Sequence, residues 1–263
     1  MISSDNIVFE YDVLAHARIH SQEEIQNALV KIINEYIVEL GIVRLDKVIV
    51  KKLDLFDTEL GVARYKDYTI ALASQIASHL ADKSSRFYQS SLAILKHEMY
   101  HFLDFQNLLL NCTRKYIAKL TFEVLDDYKL WTEFFASFST FEICEDEKLY
   151  RSFESVFNKS YSTNDEKKYY ACRLLGYYLH DSHSEKCNEL LQKYLSADNV
   201  EKTVASFASV LHSYPQYTTK QLKDIGLSIN KIIVKKESPP IYTPVSNEER
   251  WKKYLQPYTK SKK

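Results

Sequence analysis

A five-residue stretch near the middle of the chain, His97-Glu98-Met99-Tyr100-His101, carries the clearest chemical pattern in the sequence. On an α-helix, side chains four residues apart lie on the same face, one turn above the other. Two imidazoles at this spacing can bind one metal ion, and the glutamate beside the first can accept a proton from a metal-bound water. The pattern therefore predicts a metal site with His97 and His101 as ligands and Glu98 as general base.

A catalytic zinc ion usually has a third protein ligand, and the sequence narrows the choice of that ligand. In the metzincin pattern a glycine and a third histidine follow the second histidine, but here the matching positions hold Asp104 and Asn107. The two methionines are Met1 and Met99, so the downstream methionine turn of that class has no candidate. The sequence therefore excludes a metzincin and favours an acid from a later segment as the third ligand.

Glu133 is the best candidate for this acid. One side of a predicted helix over residues 126–145 is aromatic, whereas the side that carries Glu133 otherwise holds small residues. Such a helix is expected to be buried on both sides, and a buried carboxylate is costly unless a partner such as a metal ion neutralises it. The competing acids are Glu123, Asp126, Asp127 and Glu142.

Asp104 lies one helical turn beyond His101, on nearly the same face. It is a candidate to orient a ligand imidazole, and the alternative is an ordinary solvated or ion-paired position. Peptide hydrolysis would also need a donor for the developing oxyanion, and the 20 tyrosines leave that choice open.

Most of the elements that must position these residues are expected to be helices. The chain has only four glycines, and all five prolines fall at position 215 or later. Upstream of the motif helix over 84–111, the sequence predicts a helix over 21–40, in which Ser21 and Glu24 have the form of a capping box. Strands are predicted at 48–50, 60–65 and 68–73, the last two in a β-hairpin. Further helices are predicted near 113–125, 126–145, 147–160, 165–181, 184–196, 198–213 and 218–235.

Composition narrows the class of protein. The 263 residues include 35 basic and 35 acidic side chains. Because these charges balance, the composition gives no support to nucleic-acid binding. The sequence shows no secretory leader and no apolar stretch long enough for a membrane span. Four cysteines without a Cys-x-x-Cys pair predict reduced, mostly buried thiols, and a cytoplasmic protein is expected.

Residues 45–142 resemble the gluzincins, in particular the compact minigluzincin core and the ImmA/IrrE-type peptidases. The resemblance is carried by a β-hairpin, the His-Glu-x-x-His helix and a later helix with Glu-x-x-Ala. It implies a zinc metallopeptidase in which His97, His101 and Glu133 bind Zn²⁺ and Glu98 is the general base. It also implies that strand 68–73 is the sheet edge on which a peptide substrate pairs. Ser137 departs from thermolysin-like enzymes, which have an aspartate at that position.

The sequence thus predicts an α+β, mostly α fold. It consists of a zincin-like core over 1–145 with a short antiparallel sheet before the motif helix, a helical extension over 146–237 that could be continuous with the core, and a proline-containing linker with a lysine-rich tail over 238–263. The expected function is hydrolysis of an intracellular peptide or protein. One alternative is a silent or partner-regulated scaffold that binds a regulatory protein through its C-terminal helices. The other is a helical structural protein whose motif is accidental.

Overall fold

Helices make up most of the protein in the computed structural model, which describes residues 7–11, 20–52, 60–65, 67–140, 147–158, 162–180 and 185–233. The strands are β1 (Val8–Tyr11), β2 (Lys47–Lys51), β3 (Gly61–Arg64) and β4 (Thr69–Ala73). The helices are α1 (Gln22–Leu40), α2 (Ser74–Ala81), α3 (Tyr88–Asn111), α4 (Arg114–Glu123), α5 (Leu125–Thr140), α6 (Glu147–Asn158), α7 (Asn164–His180), α8 (Glu185–Tyr194), α9 (Ala197–Ser213) and α10 (Thr219–Ile232). Within these residues, no helix has both the length and the apolar character needed to cross a membrane.

The four strands form one mixed sheet in the order β1-β2-β4-β3. Strand β2 pairs in parallel with β1 and with β4, whereas β3 and β4 form the predicted antiparallel hairpin. The prediction of a purely antiparallel sheet is therefore wrong. Parallel pairs need crossover connections, and local sequence patterns do not reveal which distant strands such connections bring together.

The sheet order also corrects the predicted substrate-binding edge. Residues 68–73 correspond to β4, which lies between β2 and β3 and is buried along its whole length. An interior strand has both rows of backbone groups engaged, so it cannot accept another strand. The edge on this side of the sheet is β3, which precedes β4 in the hairpin.

Most predicted helices agree with the structure to within a few residues. The capping box at the start of α1 is confirmed, because Ser21 and Glu24 exchange hydrogen bonds between side chain and backbone. Strand β1 and helix α2 were not predicted. Helix α2 follows β4 directly, and no glycine or proline separates the two apolar segments.

Buried apolar side chains form two clusters within the compact unit that ends at Ile233. The first, called here the sheet cluster, joins the sheet to α1, α2 and one side of α3, from which it takes Leu95, Met99 and Phe102. The second, the helical cluster, joins α5 to the later helices and takes Leu108 from α3. Helix α3 therefore packs into both clusters, while the predicted boundaries at residues 145 and 237 stay predictions.

Helices α5 and α7 approach each other closely at Gly176. A Cβ atom at this position would lie 2.7 Å from the Phe134 carbonyl oxygen and 3.1 Å from the Ser137 Cβ. Only a residue without a side chain fits such a contact between helices. The small side of α5 that carries Glu133 is therefore covered by α7.

Several predictions lie on residues that the structure does not describe. These are Glu142, Cys144 and the tail over 238–263. Of the three cysteines that the structure describes, Cys172 and Cys187 are buried and Cys112 is half-buried.

Candidate metal centre

The two histidines of the motif lie one turn apart on α3 and point toward the same space. Leu95, Met99 and Phe102 anchor an adjacent face of this helix in the sheet cluster. His97 and His101 are each only 7% exposed, and their Nε2 atoms are 3.1 Å apart. Two imidazole nitrogens thus meet in a buried site, as the spacing predicts.

Glu133 extends from α5 toward both rings. Its Oε1 atom lies 3.4 Å from His97 Nε2, and its Oε2 atom lies 3.5 Å from His101 Nε2. Within the described part of the chain, these three residues are the one group of three or more His, Cys, Asp or Glu side chains that could hold a metal ion. The structure therefore brings the predicted ligands together, and their role as ligands stays a prediction.

The spacing of the donor atoms fits an ion of the size of zinc. Tetrahedral zinc has bonds of about 2.0 to 2.2 Å to histidine nitrogens and carboxylate oxygens, which places neighbouring donor atoms about 3.3 to 3.6 Å apart. Here the two Nε2 atoms are 3.1 Å apart, and each lies 3.4 to 3.5 Å from a different oxygen of the Glu133 carboxylate. Two imidazoles and one carboxylate also match the ligand types of catalytic zinc sites, which leave one position for water.

Burial and neighbouring charges together determine the pKa values of the candidate ligands. It lowers the pKa of His97 to about 4, so this ring is neutral near pH 7. Burial acts in the same direction on His101, but the hydrogen bond and charge of Glu133 outweigh it and raise the pKa. For Glu133, burial opposes ionisation, but the neighbouring histidines and Arg173 outweigh it and hold the pKa well below its usual value. Glu133 is therefore a carboxylate, as a metal ligand must be.

Glu98 lies on α3 against strand β3. A Cβ atom at Gly61 would be 3.0 Å from Glu98 Cγ and 3.1 Å from Glu98 Oε1, so the glycine leaves room for this side chain. The backbone N–H of Ala63 donates a hydrogen bond to the Glu98 carboxyl group. Burial nevertheless raises the pKa of Glu98 to about 7, which is near the optimum for a general base at neutral pH.

The other ring nitrogen of His101 has a polar partner from α5. Its Nδ1 atom is 3.0 Å from the Thr132 hydroxyl oxygen, and Thr132 is also a hydrogen-bond partner of Asp104. Asp104 is completely buried and accepts a 3.3 Å hydrogen bond from Trp131 Nε1. Asp104, which the sequence made a candidate to orient a ligand imidazole, therefore reaches the His101 ring through Thr132.

His97 lacks an equivalent partner. Among the described residues, none forms a hydrogen bond with its buried Nδ1 atom, and the buried Ser137 hydroxyl is likewise unpaired. Ser137 occupies the position at which thermolysin-like enzymes have an aspartate. The surroundings of the first histidine thus differ from the thermolysin pattern, as that substitution indicates.

Sequence reasoning missed one charged residue at the site, Arg173 on α7. Its Nε atom lies 3.3 Å from Glu133 Oε1, and its side chain is 22% exposed. The available signal was a single cation between the buried residues Cys172 and Leu174. A charge inside an apolar helical stretch usually has a partner across the helix interface.

Comparison of the chain with family models, curated proteins and solved structures finds no match. The gluzincin resemblance therefore rests on these residues and on their arrangement alone.

Proposed function

We propose that this protein is a zinc-dependent metallopeptidase with a gluzincin-like zincin core, acting on a peptide or protein in the cytoplasm. The observation that carries the proposal is the convergence of His97, His101 and Glu133 on one buried point, with Glu98 beside it. This set contains every protein group that a single-metal hydrolase needs to hold its ion and move a proton.

The proposed chemistry assigns a task to each side chain. Zn²⁺, when bound, polarises the scissile carbonyl and lowers the pKa of a bound water. His97 and His101 hold the ion as neutral bases, and Glu133 offsets part of its charge. Glu98 accepts the proton of the attacking water and delivers it to the leaving amine, because its pKa of about 7 suits both transfers.

Strand β3 is the proposed docking edge for an extended substrate. The Leu60 carbonyl accepts a 2.9 Å hydrogen bond from Ala73 N, which sets the alternation of paired residues along the hairpin. By this alternation, the backbone groups of Gly61 and Ala63 face away from β4. The Ala63 N–H already donates to the Glu98 carboxyl group, so a peptide that pairs with Gly61 and with the Ala63 carbonyl extends the sheet beside Glu98. Backbone hydrogen bonds of this kind supply affinity for a range of sequences.

Metal analysis combined with one substitution tests the proposal. The purified protein is expected to contain about one zinc ion per chain and to cleave an unstructured protein such as casein. Glu98→Gln should keep the zinc and lose the cleavage, because the amide cannot accept a proton. As a matched control, Glu39→Gln removes an exposed glutamate that pairs with Lys96 on α3 and should leave both properties unchanged.

Cleavage by the Glu98→Gln protein at the parental rate would contradict the proposed mechanism. A purified parent that binds no zinc would contradict the function as a whole.

A further inference from the structure

Arg173 lies on the buried side of α7, among aromatic side chains. Its guanidinium carbon lies 5.3 Å from the centre of the Tyr170 ring and 6.0 Å from that of Phe153. Tyr177, one turn further along the helix, is its hydrogen-bond partner. Aromatic rings within about 6 Å stabilise a guanidinium group and restrict its rotation.

A guanidinium is charged at every accessible pH, so a largely buried one needs an anion. Among the described residues, Glu133 is the acid that forms an ion pair with Arg173. Glu133 is itself largely buried, with 18% of its side chain exposed. Each charge therefore offsets the cost of burying the other.

The ion pair also favours one orientation of the carboxylate. Arg173 contacts Oε1, the oxygen that faces His97, while Oε2 faces His101. A glutamate side chain has three rotatable bonds, and without a second contact its carboxylate could turn away from the rings. The close approach of α5 and α7 at Gly176, one turn beyond Arg173, keeps the two helices in contact near the ion pair.

From this geometry we infer that Arg173 is a positioning residue, which holds the Glu133 carboxylate against the two histidines and so prepares a site for a divalent metal ion. The inference rests on the metal site of the proposed function and does not depend on peptide hydrolysis. If the inference holds, α7 contributes to the metal site even though it lies beyond the predicted core over 1–145.

Two opposing effects decide the sign of the expected change in metal affinity. A positive charge near the ion repels it, but the Glu133 carboxylate lies between the two and offsets this repulsion. Loss of a group that orients a metal ligand typically weakens metal binding about 10- to 100-fold. The orienting effect should therefore dominate, and removal of Arg173 should weaken metal binding.

Zinc affinity, measured by competition with a chromophoric chelator, tests the inference on the full-length protein. Arg173→Gln is expected to bind zinc about 10- to 100-fold more weakly than the parent. Arg173→Lys should recover part of the loss, because it restores the charge without the planar guanidinium. Lys168→Gln is the matched control and should bind zinc like the parent, since it removes a cation of the same helix that pairs with the exposed Asp165.

The absorption spectrum of the cobalt-substituted protein gives a second readout. A changed spectrum in Arg173→Gln, but not in Lys168→Gln, would show that the ligand arrangement itself has changed. This measurement responds to the coordination of the ion and not to the overall stability of the fold.

Parental zinc affinity and an unchanged cobalt spectrum in a folded Arg173→Gln protein would overturn the inference. If that variant does not fold, Arg173→Lys is used instead, and zinc affinity equal to that of the parent would likewise overturn the inference. A parent that binds zinc but cleaves no peptide would contradict the proposed function and leave the inference standing. A parent that binds no metal would overturn both.

Discussion

At His101 the two ring nitrogens face different surroundings, which determines what the ring can do. Nε2 faces His97 and Glu133, whereas Nδ1 faces the Thr132 hydroxyl. If Thr132 donates its own proton to Asp104, it must accept the proton of Nδ1, which leaves the lone pair of Nε2 free. This relay therefore favours the tautomer that can bind a metal ion.

Replacement of Thr132 tests the relay. Thr132→Val keeps the shape of the side chain and removes the hydroxyl, so zinc affinity should fall about 10- to 100-fold. Thr132→Ser keeps the hydroxyl and should stay close to the parent. Affinities of both variants from chelator competition check the prediction, which fails if the valine variant binds zinc as tightly as the serine variant.

Glu98 should make the metal-free protein less stable at high pH. Its pKa is raised from the usual 4.5 to about 7 by burial, so between these values the folded protein holds a proton that the unfolded chain has released. Through this group, the free energy of unfolding is greatest below about pH 4.5 and falls as the pH rises to about 7. Glu98→Gln removes this loss, and the gain at pH 8 should be on the order of 3 kcal/mol.

Urea unfolding of the chelator-treated parent and variant at pH 5 and pH 8 measures this effect. The variant should gain stability over the parent mainly at pH 8. An equal difference between the two proteins at both pH values would contradict the pKa assigned to Glu98.

The sequence predicted the three converging side chains because their signals are local. His97 and His101 are related by helical spacing, and Glu133 stands out as a charge on a helix face of small residues. Arg173 and Thr132 were not predicted, because their roles depend on partners on other helices. For Arg173, the contact between α5 and α7 includes Gly176, whose neighbours are known only once the helices are packed.

Among the elements, β3 and α3 form the contact on which Glu98 depends. Gly61 faces the Glu98 side chain, and Ala63 donates a hydrogen bond to its carboxyl group. The candidate general base is therefore positioned by a strand, whereas the candidate metal ligands are positioned by two helices. Substitutions in β3 should therefore lower the catalytic rate more than they lower metal binding.

Gly61→Ala tests this separation. The new Cβ would lie 3.0 Å from Glu98 Cγ, so the side chain of the base must shift. Displacement of a catalytic group by about 1 Å can lower the rate about 100-fold, so kcat should fall at least several-fold while zinc content stays at the parental level. Val62→Ala, on the other face of the strand, is the control. Unchanged kcat in Gly61→Ala would show that β3 does not position the base.

The helices were predictable because the chain has few residues that interrupt helices, and because helical hydrogen bonds are local. The arrangement of the sheet was not predictable, because β2 pairs with one strand that precedes it in the sequence and with one that follows it. Strand β1 has four residues with little hydrophobic alternation, so its membership of the sheet depends on pairing with a strand 39 residues further along. The same non-local pairing places β4 in the interior and leaves β3 as an edge.

For the molecule as a whole, the candidate metal centre lies where the sheet cluster and the helical cluster meet. His97 and His101 are on α3, which packs into both, and Glu133 is on α5, which packs into the helical cluster. A bound ion would connect the two helices through short bonds. Binding to the folded state alone also stabilises that state by mass action.

Metal removal should therefore lower the thermal midpoint of the protein. Zinc at about 1,000 times its dissociation constant stabilises the folded state by about 4 kcal/mol, so the midpoint should rise with zinc and fall in chelator. Glu133→Gln should reduce this dependence, because it removes a charged ligand. Differential scanning calorimetry checks the prediction, and a midpoint that does not depend on zinc would contradict it.

Because α3 packs into both clusters, the distances between the candidate donor atoms depend on the packing of the core. A cavity introduced at Leu108, far along α3 from the histidines, would loosen the fit between α3 and α5 and thereby spread the distances between donor atoms. Sequence changes that conserve every residue of the candidate site would then still weaken the proposed metal binding. Conservation of the proposed activity among distant descendants of this chain would then depend on the interior of the protein as much as on His97, Glu98, His101 and Glu133.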